Sequence, residues 1–150
     1  MPASPDLSVN KYLMGIKNVY DVAARAMSAQ IVRMNTIASN LANANNVTSS
    51  KETAYKPLRP VFKTVYADQL KQTGLSSVDA IKVEALDREP IKTYLPNHPA
   101  ADDEGYIYKA AVDMDEEMVE MLETQRQYTN NIEVLNTIRN LTMRTLNIGK

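Results

Sequence analysis

Apolar residues in the first part of the chain recur at alternating spacings of four and three, the period of a helix that packs along one face. No Gly or Pro interrupts residues 16–56, and an asparagine cluster follows where such a helix would close. We therefore predict a helix from residue 16 to about residue 44. Its repeating positions are Ile16, Tyr20, Ala23, Met27, Gln30, Met34, Ile37 and Leu41.

A second window free of Gly and Pro, residues 106–148, shows the same period. Carboxylates near its start complement the dipole of a helix that we place over residues 112–147. The apolar stripe follows Met118, Met121, Gln125, Tyr128, Ile132, Leu135, Arg139, Thr142 and Leu146, and it widens towards Ile138, Leu141 and Ile148. A stripe of this width predicts burial against more than one neighbour.

Strands and turns are predicted between the two helices. Residues 54–66 are rich in β-branched and aromatic types, but Pro57 and Pro60 restrict them to an edge or irregular strand. Residues 78–86 alternate apolar and charged side chains, the period of a half-buried strand. Residues 94–108 are interrupted by prolines and are predicted to form a long ordered loop. This region is large enough for a hairpin or a few-stranded patch.

The predicted fold class is mainly α with a small β region. Long N- and C-terminal helices form a coiled-coil-like pair, joined by a segment of β-hairpin and loop. The predicted segments are a leader (1–15), an N-terminal axial helix with the Asn-rich motif (16–48), a β/loop insert (49–111) and a C-terminal axial helix (112–150). The simplest alternative to a larger assembly is a two-helix coiled coil capped by a small domain, monomeric or dimeric.

Composition and charge narrow the class of protein. The chain has no cysteine, which excludes disulfides, Cys-based zinc sites and cysteine nucleophiles. Residues 1–15 lack the basic and apolar regions of a secretory signal. Residues 1–72 carry a net charge of +5 and residues 73–150 a net charge of −6. This asymmetry indicates either two solvated faces or complementary surfaces, within one subunit or between neighbours. The sequence has no clustered basic stripe of the kind that binds nucleic acid, so we predict no nucleic-acid partner.

The sequence offers little for catalysis or metal binding. His98, the only histidine, stands near Asp102, Asp103 and Glu104, but their spacing matches no known ligand motif and favours a solvated acidic turn. No nucleophile elbow, Gly-rich phosphate loop or zinc-protease motif is present. We therefore predict a structural protein rather than an enzyme, with no catalytic, metal or cofactor site and no small-molecule substrate.

Three stretches of the sequence resemble a known family. The first comprises Ala29-Gln30, the run Ala38-Ser39-Asn40-Leu41-Ala42-Asn43-Ala44 and Val47-Thr48; the second comprises Asn97, Pro99, Ala101-Asp102, Gly105-Tyr106 and Val112-Asp113; the third comprises Tyr128, the run from Asn131 to Thr137, Thr145-Leu146 and Gly149. The first resembles the N-terminal signature of bacterial flagellar rod and hook proteins. The other two are similar to proteins of the proximal rod. One departure is the run TSSKETAY after the Asn-rich core, where many such proteins have Pro-Gly-Tyr.

The resemblance implies a structural subunit of the flagellar basal-body rod. Such subunits are exported through the flagellar type III apparatus without a cleaved signal. They assemble helically, with copies of themselves and other rod proteins, into a drive shaft that joins the basal-body ring to the distal rod and hook across the periplasm. The alternatives are another flagellar axial protein of the rod or hook, or a cytosolic coiled-coil adaptor or chaperone.

In this interpretation the two helices provide the contacts between subunits. The predicted assembly interface comprises Ile16, Tyr20, Ala23, Met27, Met34, Ile37, Asn40, Leu41, Asn43, Met118, Met121, Tyr128, Ile132, Leu135, Ile138 and Leu146.

Overall fold

Two long helices dominate the fold. The computed structural model describes residues 6–65 and 77–148. The elements are α1 (Asp6–Asn43), β1 (Val47–Thr48), β2 (Leu58–Val65), β3 (Ser77–Ala85), β4 (Ile91–Tyr94), β5 (Tyr106–Lys109) and α2 (Met114–Ile148). The predicted class, mainly α with a small β region, is confirmed. Helix α2 agrees closely with its predicted range.

Helix α1 begins earlier than predicted, within the segment assigned to a leader. Gly15 is the only Gly or Pro between residues 6 and 15. A single glycine inside a helix costs only about 1 kcal/mol, which the turns on both sides offset. The glycine was therefore too weak a signal to mark the start of the helix.

The helices pack side by side and run antiparallel. Asn40 contacts Glu117, Arg33 contacts Glu120 and Gln30 contacts Gln127. The residue numbers in α2 therefore increase along the contact while those in α1 decrease. The chain therefore returns along its own first helix, and the antiparallel direction takes the N-terminal half of α1 towards the C-terminal part of α2.

The strands form two small antiparallel sheets. Strands β2 and β3 form a hairpin, with a bulge between Val61 and Phe62, and this hairpin lies against α1. The second sheet has the order β1-β5-β4. The predicted hairpin and few-stranded patch are thus present. Among the described residues, β2 pairs with β3 alone, as expected for a strand that contains Pro60.

Two predictions for this region need correction. The segment 94–108 is not one loop, because Tyr94 pairs with Tyr106 at the ends of β4 and β5 and only residues 95–105 connect them. Aromatic packing between these two tyrosines, with ring centroids 5.1 Å apart, extends the strands towards the prolines. The alternating burial expected in 78–86 is also absent from residues 82–85, whose side chains are all exposed.

The core is built from small side chains. Its buried apolar members are Ala23, Ala29, Ile37, Ala44, Ala54, Ile107 and Ala110, accompanied by the buried polar residues Thr36, Asn40, Glu117 and Thr124. Alanine and threonine at the contact let the two helices approach closely. In exchange, many large apolar side chains of α2 stay at the surface.

The connection between β4 and β5 depends on one glycine. Gly105 has a φ of 82°, a left-handed conformation, and a Cβ there would lie 2.9 Å from a ring carbon of Tyr94. Asp102 completes the turn, because its Oδ1 accepts hydrogen bonds from the amides of Glu104 at 3.0 Å and Tyr106 at 2.7 Å. The Asp-x-x-Gly-Tyr part of the motif is therefore a turn signature.

Replacing Gly105 with alanine should destabilise the fold by about 1–3 kcal/mol, because the new side chain adds backbone strain and a contact with Tyr94. Urea unfolding monitored by circular dichroism measures the change. Gly15→Ala is the matched control: nothing lies within 4 Å of a Cβ at that helical position. It should stabilise the chain by up to about 1 kcal/mol. Equal effects of the two substitutions would contradict the assigned role of Gly105.

The Asn40 cluster and candidate assembly surfaces

Asn40, in the last turn of α1, joins three parts of the chain and is fully buried. Its Nδ2 donates to the backbone oxygen of Leu58 at 2.9 Å and to Glu117 Oε1 at 3.1 Å. Its Oδ1 accepts from the Leu58 amide at 2.8 Å and from the Tyr55 hydroxyl at 3.0 Å. Both donors and both acceptor positions of the side chain are therefore used. We call Asn40, Tyr55, Leu58, Arg59 and Glu117 the Asn40 cluster.

The other residues of the Asn-rich motif have local roles. Asn43 Nδ2 donates to the backbone oxygen of Ser39 at 2.8 Å and caps its own helix. Ser39 Oγ lies 3.2 Å from the Tyr55 hydroxyl, which holds that ring beside Asn40. Ala44 is buried, and the chain turns just after the helix, where the Asn46 amide donates to the backbone oxygen of Asn43 at 3.0 Å. The run TSSKETAY, despite lacking Pro-Gly, delivers Tyr55 to the cluster.

Arg59 binds the first turns of α2. Its Nη1 lies 2.8 Å from Glu120 Oε2, and its Nη2 lies 3.2 Å from Glu117 Oε1 and 3.5 Å from Glu116 Oε1. Arg33 reaches Glu120 at 3.5 Å from α1. The basic first half and the acidic second half of the sequence are thus partly complementary surfaces within one subunit.

Glu117 is a carboxylate in a protected position. Only 2% of its surface is exposed, and its Oε2 has no hydrogen-bond partner among the described residues. Burial raises the pKa of the Glu117 carboxyl, while the hydrogen bond from Asn40 and the charge of Arg59 oppose that rise. The neighbouring charges of Glu120 and Glu116 raise the pKa further.

The helix contact beyond the Asn40 cluster is also polar. Gln30, the polar exception in the predicted stripe of α1, donates from Nε2 to Gln127 Oε1 at 2.9 Å. Gln127 in turn donates to Glu123 Oε1 at 2.9 Å. Thr124 is fully buried on the same face of α2. The α2 seam therefore runs through residues that the apolar trace did not include.

The predicted interface residues lie at different depths in the subunit. Ala23, Ile37 and Asn40 are buried; Ile16, Tyr20, Met27, Met34, Leu41, Asn43, Met121, Tyr128, Leu135 and Ile138 are half-buried; Met118 and Ile132 are exposed. The side chain of Leu146 lies outside the described residues. The part of these residues in contacts between subunits stays a prediction.

Sequence reasoning missed Tyr55, Arg59, Glu117 and Glu120 as members of the site. The charge difference between the two halves of the chain was the available signal, because one of its two interpretations is pairing of first-half cations with second-half carboxylates. It could not say which residues pair, since Asn40 and Glu117 are 77 residues apart in sequence.

The loop containing His98 uses its polar groups internally. His98 Nδ1 accepts a hydrogen bond from the Ala100 amide at 3.1 Å, and Asp102 serves the turn described above. Among the described residues, no group of three or more His, Asp or Glu side chains is placed to hold a metal ion. Nor is any helix in that part of the chain long and apolar enough to cross a membrane.

Comparison with known proteins identifies the class. A family model described as flagella basal body rod protein matches residues 21–49, and one described as flagellar basal body rod FlgEFG protein C-terminal matches residues 103–148. These segments contain the two ends of the Asn40–Glu117 hydrogen bond. The chain belongs to the flagellar basal-body rod protein family.

Its similarity to relatives extends over most of the chain. It is 36% identical over 137 residues to the flagellar basal-body rod protein FlgC of Escherichia coli O6:H1, and 36% identical over 137 residues to that of Salmonella typhimurium. Both alignments cover 91% of this chain and 100% of the relative. The FlgC of Buchnera aphidicola from Acyrthosiphon pisum is 34% identical over 140 residues. This chain is thus a FlgC-like structural rod subunit of the flagellar basal body.

Asn40→Ala should destabilise the subunit by about 1–3 kcal/mol, because it removes four hydrogen bonds at a buried position and deprives the Leu58 amide of its acceptor on Asn40. Denaturant unfolding of the purified chain measures the loss. Asn43→Ala, which removes a bond only to its own helix, is the matched control and should cost less than about 1 kcal/mol. A loss at Asn40 no larger than at Asn43 would show that the cluster does not hold the three segments together.

Stability should also depend on pH through Glu117. Its pKa is higher in the folded chain than its ordinary value of 4.5, so the folded state binds more protons than the unfolded state. The contribution of the Glu117 carboxyl to the free energy of unfolding is fully present below pH 4.5 and is lost as the pH rises through the pKa of the folded state. Glu117→Gln should therefore flatten the fall in unfolding free energy that occurs as the pH rises above 4.5, measured in urea.

The sign can be checked with a second carboxylate. The ion pair with Lys51 lowers the pKa of the exposed Glu89, so its contribution to stability is gained as the pH rises. Glu89→Gln should thus change the slope in the opposite direction, and by less because the pair is exposed. An unchanged pH profile in Glu117→Gln would refute the assignment.

Proposed function

We propose that this chain is a subunit of the proximal rod that assembles helically with copies of itself and with other rod proteins. The shaft so formed transmits torque to the distal rod and hook. The observation that carries the proposal is the surface of α2. Large apolar side chains stand exposed from one end of this helix to the other, among them Met118, Leu122, Val134, Leu141 and Met143. Their burial against neighbouring helices is the main gain in free energy available to an assembly.

Rigidity of the subunit supports the same role. The Asn40 cluster holds the ends of both helices and the start of β2 together through charged and neutral hydrogen bonds. A shaft under torque needs subunits whose axial helices do not slide past one another. Buried polar contacts resist sliding better than a uniform apolar seam, because a shift of one turn leaves them unpaired.

Export and location follow from the proposed role. We infer that the chain leaves the cytoplasm through the flagellar type III apparatus without a cleaved signal, and that it joins the basal-body ring to the distal rod within the periplasm. The small-residue core supports passage in an unfolded state, because it buries little large apolar surface that must be exposed again. Catalysis forms no part of this role.

The test combines location with two substitutions. The tagged chain should co-purify with isolated basal bodies. Leu135→Asp and Leu41→Asp should abolish rod completion and swimming while the protein is still made and exported. Both side chains are half-buried already in the subunit, and a large-to-small change in packed surroundings costs about 2–5 kcal/mol, with a buried carboxylate costing more.

Asn130→Asp is the matched control, because it places a carboxylate at an exposed position of α2 five residues before Leu135. It should leave swimming intact. Normal swimming and complete rods in both leucine variants would refute the proposed seams, and absence of the wild-type chain from basal bodies would refute the proposed function.

A further inference from the structure

Helix α2 has an acidic end and a basic end. Six carboxylates and no cation occupy residues 113–123, whereas residues 134–150 contain Arg139, Arg144 and Lys150 and no carboxylate. Asp115 and Arg144 are both exposed, and they stand 29 positions apart in the helix, a distance of about 44 Å. The two ends are therefore too far apart to neutralise each other within one subunit.

Each end also exposes large apolar side chains. Met118, Val119 and Leu122 at the acidic end are all more than half exposed, and so are Leu141 and Met143 at the basic end. Asp115 stands three and four residues before Met118 and Val119, and Arg144 stands three residues after Leu141, so charge and apolar surface share the same turns. An intramolecular account by the helix dipole explains the charges but not these exposed side chains.

The surroundings of the ends reinforce the difference. The antiparallel fold brings exposed Met14 and Lys17 of α1 to the basic end. At the acidic end, Met114 and Ile91 line an open groove of about 590 Å³, which can accept apolar side chains from a neighbour. Arg88, which lines this groove, lies 3.8 Å from Glu116, and Arg59 and Arg33 pair with Glu116, Glu117 and Glu120. Three further carboxylates of this end are exposed: Asp113, Asp115 and Glu123.

We propose that the acidic end of α2 docks on the basic end of α2 in a second copy of this chain. This deepens the proposed function and rests on it, because it names the surfaces through which copies meet along the rod. The two surfaces are different and complementary, so a docked pair still has a free basic end on one copy and a free acidic end on the other. Such a contact continues from copy to copy and does not close into a dimer.

A charge swap tests the contact in the purified full-length chain. Asp115→Arg and Arg144→Asp should each raise the concentration of half-maximal self-association at low salt by about tenfold, measured by sedimentation velocity. The double variant should return to within about threefold of the wild type, because both charges are exchanged and the pair is restored. Association of the wild type should weaken as salt is added.

The double variant separates this contact from the helix dipole. Each reversal opposes the dipole at its own end, so a purely intramolecular effect predicts that the double variant is the worst of the three. Asp103→Arg, an exposed reversal in the loop between β4 and β5, should leave association unchanged. No rescue in the double variant, no effect of the single reversals, or a wild type that stays monomeric at low salt would each overturn the proposal.

An uncharged variant and basal-body isolation serve as further tests of the contact. Where circular dichroism shows that a reversal has unfolded the helix, Leu122→Ser replaces it; this exposed side chain contributes little to the subunit and should still weaken association. Basal-body isolation distinguishes the two hypotheses. A wild-type chain missing from basal bodies refutes the proposed function, whereas a chain that is present there and unaffected by either reversal refutes only the end-to-end contact.

Discussion

The fold depends on the burial of one amide side chain. Asn40 lies where water cannot replace a lost hydrogen bond, and its four bonds reach α2, the loop before β2 and β2 itself. An aspartate has no amide donors and an alanine has no polar group, so neither can make the same four bonds. A polar side chain can lie at the centre of the subunit because all of its hydrogen-bonding groups have partners. A buried polar group without a partner would cost more free energy than one hydrogen bond contributes.

The carboxylates around this point are held by arginines from other segments. Arg59 comes from β2 and Arg33 from α1, and between them they face three carboxylates of α2. Burial of Glu117 opposes its ionisation, while Asn40 and Arg59 favour it. The network thus fixes the register of the two helices with groups that are sensitive to displacement, since a shift of one residue would leave a charge buried and unpaired.

The second feature of the subunit is that small residues lie at the helix contact while large apolar residues lie at the surface. Alanines and threonines at the helix contact permit close approach, and the larger side chains of α2 are consequently left at the surface. For a monomer this would be a liability. In a rod subunit, as proposed above, the same side chains pack against neighbouring subunits. The opposite charges at the two ends of α2 then favour contact of an acidic end with a basic end.

The sequence by itself determined the two helices and the small β region, because heptad spacing and proline positions are properties of short stretches of chain. It also determined the family, through motifs that stand in the Asn-rich segment and the C-terminal helix. The tertiary structure decided which face of α2 meets α1: the apolar trace through Met118 and Ile132 points outward, and Glu117 and Thr124 take the contact. It alone assigned Tyr55, Arg59 and Glu117 to Asn40. The physical reason is that these partners come from three segments far apart in sequence, so no local period records their meeting, and only the folded chain shows which buried polar groups satisfy one another.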